Sequence, residues 1–155
     1  MKMNNAQHTE NWLRACGKEV GLKNASTQLG CILEEVAELL NELYVNEIST
    51  SEQITDALSA LTKLAATFKR GEDRLQGRGD SESIVDALAD IKVTVDGFAY
   101  LAGLDIQKAD AITIEANNRK LIDGKPVILD GGKIGKPAGW IAPDYSECVH
   151  NSLFG

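Results

Sequence analysis

Five stretches of this 155-residue chain carry apolar residues at helical spacing, and none reads convincingly as a core strand. That pattern predicts an all-α fold, a bundle of about five helices in which polar sites form between facing helices. The second stretch, Ile32-Leu33-Glu34-Glu35-Val36-Ala37-Glu38-Leu39-Leu40, lacks Pro and Gly and is rich in strong helix formers. At ~100° per residue, Leu29, Ile32, Leu33, Val36, Leu40 and Leu43 gather on one stripe. Glu34, Glu35 and Glu38 fall on roughly the opposite side. Carboxylates that close repel one another unless a cation sits among them, and their oxygens are the hard ligands that Mg²⁺ prefers. The plainer alternative is a solvated acidic face on an amphipathic helix.

The remaining boundaries follow from caps and breakers. Thr9 offers an N-cap to a first helix over 10–16, with residues 1–8 frayed and Gly17 or Gly21 as the stop. Asn24 or Ser26 caps the second, which runs to about Asn46 before Ser49-Thr50-Ser51 breaks it. The third starts near Glu52 and ends in the polar run Lys69–Arg74. Asp80 or Ser81 opens the fourth, from Glu82 to about Ala102, and Asp105 caps the fifth, from Ile106 to about Leu121.

The fourth helix has its main apolar stripe in Ile84, Leu88, Ile91, Val95, Phe98 and Ala102. Asp86 and Asp90 lie away from it, one turn apart, and share their side with Ala89, Val93, Gly97 and Leu101. A solvated face would carry Lys, Gln or Glu there, so the helix reads as packed on more than one side. Carboxylates on a largely apolar face need a reason to be there, because unpaired buried charge is costly. Asp96 reads as surface.

Beyond about residue 122 the chain turns Gly- and Pro-rich and irregular, with Lys125, Lys133 and Lys136 following Arg119 and Lys120. Val127-Ile128-Leu129 is a candidate hairpin strand. This basic segment is either a flexible, solvated tail or a phosphate-contacting flap over the acidic site. Trp12 reads as a core or interface anchor, with base stacking as the alternative, and Gln28 and Cys31 as possible base-pocket residues.

A net charge of −7 argues against general affinity for nucleic-acid backbones or anionic membranes. Three widely spaced cysteines without CxxC give neither a disulfide framework nor a zinc site. No signal peptide or membrane span is evident, so a cytoplasmic protein of one domain is expected, with a helical core over about 9–121 and an extension over about 122–155. A ferritin-like di-iron site needs Glu-x-x-His pairs on facing helices, and the only histidines, His8 and His150, sit near the termini; a phosphate-binding GxxxxGK[ST] loop, a GxSxG elbow and HExxH are missing. Hard-metal chemistry remains, and its natural partner is a polyphosphate.

Glu34-Glu35-x-x-Glu38, followed by Asp86-Ala87-Leu88-Ala89-Asp90-Ile91, resembles the all-α nucleoside triphosphate pyrophosphohydrolases, the MazG-like and phosphoribosyl-ATP-pyrophosphohydrolase-like enzymes. The likeness continues through Gly103-Leu104-Asp105 and Glu115-Ala116-Asn117-Asn118-Arg119-Lys120-Leu121 into Asp123-Gly124-Lys125-Pro126, Gly132-Lys133 and Pro143-Asp144. It spans roughly residues 25–145 and looks like the small phage- and integron-type MazG-like branch.

The resemblance implies a Mg²⁺-dependent hydrolase, with Mn²⁺ as a substitute, that cuts a (deoxy)nucleoside triphosphate into monophosphate and pyrophosphate in house-cleaning of the nucleotide pool. By position, Glu34, Glu35, Glu38 and Asp90 would be metal ligands, and one glutamate would orient or deprotonate the attacking water. Asn117 and Lys120 match phosphate-contacting positions, and Lys133 and Lys136 are looser candidates. Many members carry an acid three residues before the final Asp, where this chain has Ala87. Asp86 is the candidate replacement, as a direct ligand or through water. The family's dimers or tetramers imply a homo-oligomer. Phosphoribosyl-ATP hydrolysis and a catalytically silent helical module that binds nucleotide or oligomerises are the alternatives; the basic extension disfavours the former.

Overall fold

The computed structural model describes residues 3–129, 134–149 and 151–154. Among them the chain is all-α: α1 (Asn5–Ala15), α2 (Leu22–Asn41), α3 (Ile48–Arg70), α4 (Ser81–Leu101) and α5 (Ile106–Asn118), with one two-stranded hairpin, β1 (Leu121–Ile122) and β2 (Lys125–Pro126). A 3₁₀ turn follows at Ser146–Cys148. The chain divides into two compact units, Met1–Lys18 with Asp80–Gly155, and Glu19–Gly79.

The helix starts differ from the sequence expectation in instructive ways. α1 begins at Asn5 because Asn4 and Gln7 form a reciprocal capping box, so residues 5–8 are helical. α2 begins at Leu22, and Ser26 is spent otherwise: it donates to Leu22 O at 2.6 Å and accepts from Leu75 N–H at 2.9 Å. α2 stops at Asn41, and Ser49-Thr50-Ser51 lies inside the first turns of α3. Asp80 and Asp105 are the N-caps of α4 and α5, as the sequence predicts.

In the unit built on α2 and α3 the two helices form an antiparallel hairpin in contact along small residues. Ser26, Gly30 and Ala37 are buried on α2 and Ala65 on α3. A Cβ on Gly30 would stand 2.8 Å from Lys69 Cγ and 2.9 Å from Ala65 O, so only glycine admits this approach. The buried line is therefore rotated from the expected apolar stripe toward the glutamates, which leaves Val36 and Leu39 exposed.

In the other unit α1 and α5 run side by side in the same direction. Asn5 Nδ2 donates to Asp110 Oδ2 at 2.6 Å and Trp12 Nε1 to Asn117 O at 2.9 Å, and each pair is 105 residues apart. After α5, Asp123 and Gly124 both take positive φ (50° and 74°), the mirror-image turn that suits a two-residue hairpin. The hairpin thus pairs Leu121 with Pro126 and Ile122 with Lys125. The expected strand at Val127–Leu129 is reduced to one bridge from Ile128 to Ile134.

The C-terminal segment is tied down, not solvated along its length. Trp140 Nε1 donates to Ala116 O, the Thr113 and Tyr145 hydroxyls bond at 2.8 Å, and Asp105 N–H donates to Cys148 O. Leu153 N–H reaches Ala102 O, and the Phe98 and Phe154 rings stack with centroids 6.2 Å apart. Gly103, at φ +75°, is held where a Cβ would lie 1.8 Å from Asn151 O.

α4 stands apart in character. Ile84, Leu88, Ile91, Val95 and Phe98, its apolar stripe, are 41–51 % exposed, and only Ala99 is buried within the helix. Val93 and Leu101, on the side of Asp86 and Asp90, are exposed as well. The expectation of a helix packed on several sides is not met by the described residues of its own unit, which cover α4 only near its C-terminal end, where Ala99 and Ala102 are buried.

Candidate functional site

The acidic residues of α2 lie within little more than one helical turn, on a helix locked against α3 by Gly30 and Ala65. Glu35 and Glu38 are exposed. Glu34 lies at the edge of the α3 contact and forms an ion pair with Lys69, whose side chain is 32 % exposed against 43 % for Glu34. The hydrogen bond to Glu34 raises the Lys69 pKa, with the nearby Cys31 and Glu35 acting in the same direction. Sequence reasoning placed Lys69 in a merely polar helix end. The usable signal was Gly30, a small residue one turn before Glu34 that lets a lysine from the facing helix lie across it.

Asp86 and Asp90 are exposed on α4, one turn apart. Asp96 pairs loosely with Lys92 at 3.7 Å, a surface role in keeping with its expected one. Neither unit, among its described residues, gathers three His, Cys, Asp or Glu side chains closely enough to hold a metal ion. On α2 the ammonium of Lys69 already stands as a cation on Glu34.

Four of the residues nominated for substrate contact come together at the C-terminal end of α5. Trp12 and Trp140 donate their indole N–H groups to the consecutive carbonyls of Asn117 and Ala116, helix-end acceptors short of intrahelical partners. Lys120 donates to Asn117 Oδ1 at 2.8 Å and sits 6.0 Å and 5.8 Å from the Trp12 and Trp140 ring centroids. Lys136 lies 4.5 Å above Trp140. Positive charge at a helix C-terminus is itself stabilising, so this cluster fastens α1 and the C-terminal segment to α5 while concentrating two ammonium groups. Trp140 was not singled out from the sequence; its place in a Pro/Gly-rich run hid it.

Gln28 is exposed on α2, and Cys31 is half-buried near Lys69. Lys133 lies outside the described residues. Burial pushes the Cys16 thiol pKa up, and Cys16 is buried among the described residues. Comparison with protein-family models, curated proteins and solved structures returns no match to this chain.

Proposed function

We propose that this chain is a Mg²⁺-dependent pyrophosphohydrolase that converts a (deoxy)nucleoside triphosphate into the monophosphate and pyrophosphate, working as a homo-oligomer. The observation that carries the reading is the order of motifs on an all-helical chain: Glu34, Glu35 and Glu38 on α2, then Asp86 and Asp90 on α4, then Asn117 and Lys120 at the end of α5. The first five side chains are assigned to the cation and the last two, with Lys136, to phosphate. The reading assigns both acidic sets to cation binding.

When bound, Mg²⁺ supplies charge neutralisation on the polyphosphate and eases attack by water. The chain's own work is to place and deprotonate that water. A glutamate of α2 takes the proton as the water oxygen joins the α-phosphorus and the bond to the bridging oxygen breaks, with pyrophosphate leaving. Homo-oligomerisation is supported by the apolar residues that α4 exposes, from Ile84 to Phe98, more than a solvated helix carries.

Assay of a panel of nucleoside triphosphates should give pyrophosphate and monophosphate only when Mg²⁺ is present. Orthophosphate release would point to another reaction. The second reading, a silent helical oligomerisation module, is favoured by the same exposed face of α4 and predicts no product from any nucleotide.

A further inference from the structure

The two tryptophans of the chain come from opposite ends of the sequence and converge on the last turn of α5. Trp12 donates its indole N–H to Asn117 O at 2.9 Å, and Trp140 donates its own to Ala116 O at 3.0 Å. These bonds satisfy helix-end acceptors and tie two segments to α5. A tie needs nothing more, yet both ring faces are also in use.

The Lys120 ammonium stands 6.0 Å and 5.8 Å from the Trp12 and Trp140 centroids and donates to Asn117 Oδ1 at 2.8 Å. A lysine ordinarily samples many rotamers; these three contacts localise this one. The rings and the amide are uncharged, so they hold the ammonium without cancelling its charge. Lys136 reaches the same indole through its backbone. Gly135 N–H donates to Val127 O at 2.7 Å, and a turn closed by Trp140 N–H to Pro137 O, with Gly139 at φ +77°, folds Trp140 back toward Lys136. The Lys136 ammonium lies 4.5 Å from the Trp140 centroid. Two like charges gathered on one ring repel each other, and an anion bound to both relieves that repulsion. Lys136 is exposed, and Lys120 and Trp140 are half-buried, so the cluster opens to solvent.

Resting on the hydrolase reading, which assigns Lys120 and Lys136 to phosphate, we propose that Trp140 is a positioning residue of that phosphate site. Its ring sets the two ammonium groups where one pyrophosphate group meets both, and Trp12 steadies Lys120 from a second ring. Trp140 acts only through the lysines and makes no bond to phosphate itself.

The test is calorimetric titration of inorganic pyrophosphate, with Mg²⁺ present, into the full chain and its Trp140→Leu, Trp140→Phe, Lys120→Met and Lys120→Met/Trp140→Leu variants. Thermal melts monitored by circular dichroism establish that each is folded at the titration temperature. Trp140→Leu removes the ring face and should weaken binding about 5-fold. Trp140→Phe keeps a face but loses the N–H, so it should melt earlier yet bind within about 2-fold of the parent. The double change should cost clearly less than the sum of its two single changes, because the ring acts through the lysine. A tie alone predicts otherwise: Phe and Leu weaken binding alike, and the losses add. That result, or full affinity in Trp140→Leu, would overturn the positioning role and leave the hydrolase reading standing. No saturable binding to the parent would overturn the phosphate assignment of both lysines and the positioning role with it. Coupled binding without pyrophosphate release from any nucleotide would support the positioning role and end the hydrolase reading.

Discussion

α2 and α4 are of similar length, and both carry acids beside apolar residues, yet they are used in opposite ways. α2 is gripped through Ser26, Gly30 and Ala37, and its large side chains Val36 and Leu39 are left outside. α4 has little grip within its unit, and its apolar stripe is open from Ile84 to Val95. Apolar periodicity states that a helix has a face to bury; it does not state which neighbour buries it. Close approach is decided by small residues, and the acids then take their surroundings from that choice. Glu34 thereby gains Lys69, whereas Asp86 and Asp90 remain on a surface available to an assembly.

The largest effect expected from this contrast is on turnover. Glu35→Gln or Glu38→Gln on α2 should lower pyrophosphate release by at least about 10²-fold, the lower range for loss of a positioned acid or base, with an unchanged circular dichroism spectrum. Asp96→Asn on α4 should leave the rate as it was.

Next comes assembly. Ile91→Glu places a charge in the open stripe of α4, and light scattering at micromolar concentration should then report a smaller particle than the oligomer proposed for the parent. A monomeric parent would remove the proposed reason for that open face.

Two glycines sharpen the comparison further. Gly30→Ala must part α2 from Lys69 and Ala65 and should cost about 1–3 kcal/mol in urea unfolding, typical of overpacking. Gly97→Ala on α4 meets nothing within 4 Å. It should stabilise an isolated chain by about 0.5–1 kcal/mol; a loss of assembly on the same substitution would show that a partner packs at Gly97.

The smallest effect is on pH dependence. The Ser83 hydroxyl, with the Glu82 and Ser83 N–H groups, holds the Asp80 carboxyl below its ordinary pKa. A depressed folded-state value means that its contribution is full above the unfolded carboxylate pKa and is lost as pH falls through the folded one. Asp80→Asn should flatten the acid limb of the stability curve, read by thermal melts between neutral and strongly acidic pH.

Much of the fold was legible in particular residues. Asp80 and Asp105 cap helices because their carboxylates accept from N–H groups two or three residues on. Asn4 was passed over because its partner Gln7 sits in a stretch without apolar periodicity, where a capping box is easily missed. Ser26 was misread as a cap because a serine that bonds back to Leu22 and receives Leu75 looks identical in sequence. At the site, the carboxylates were legible as a cluster on α2, but Lys69 was not, since its distance from Glu34 in sequence is 35 residues and only the α2–α3 register joins them. Trp140 was hidden for a similar reason: its anchor, the carbonyl of Ala116, is a backbone atom that no side-chain pattern announces.

The central proposal is that the acids of α2 and those of α4 are both needed to bind the cation. Its most direct test is a double-mutant cycle on Mn²⁺ affinity, measured with a non-hydrolysable nucleoside triphosphate, for the parent, Glu38→Gln, Asp90→Asn and the double variant. The account predicts that each single change weakens binding at least about 10-fold and that the double change costs clearly less than the sum of the two, as coupled ligands require. Full affinity in either single variant would contradict it.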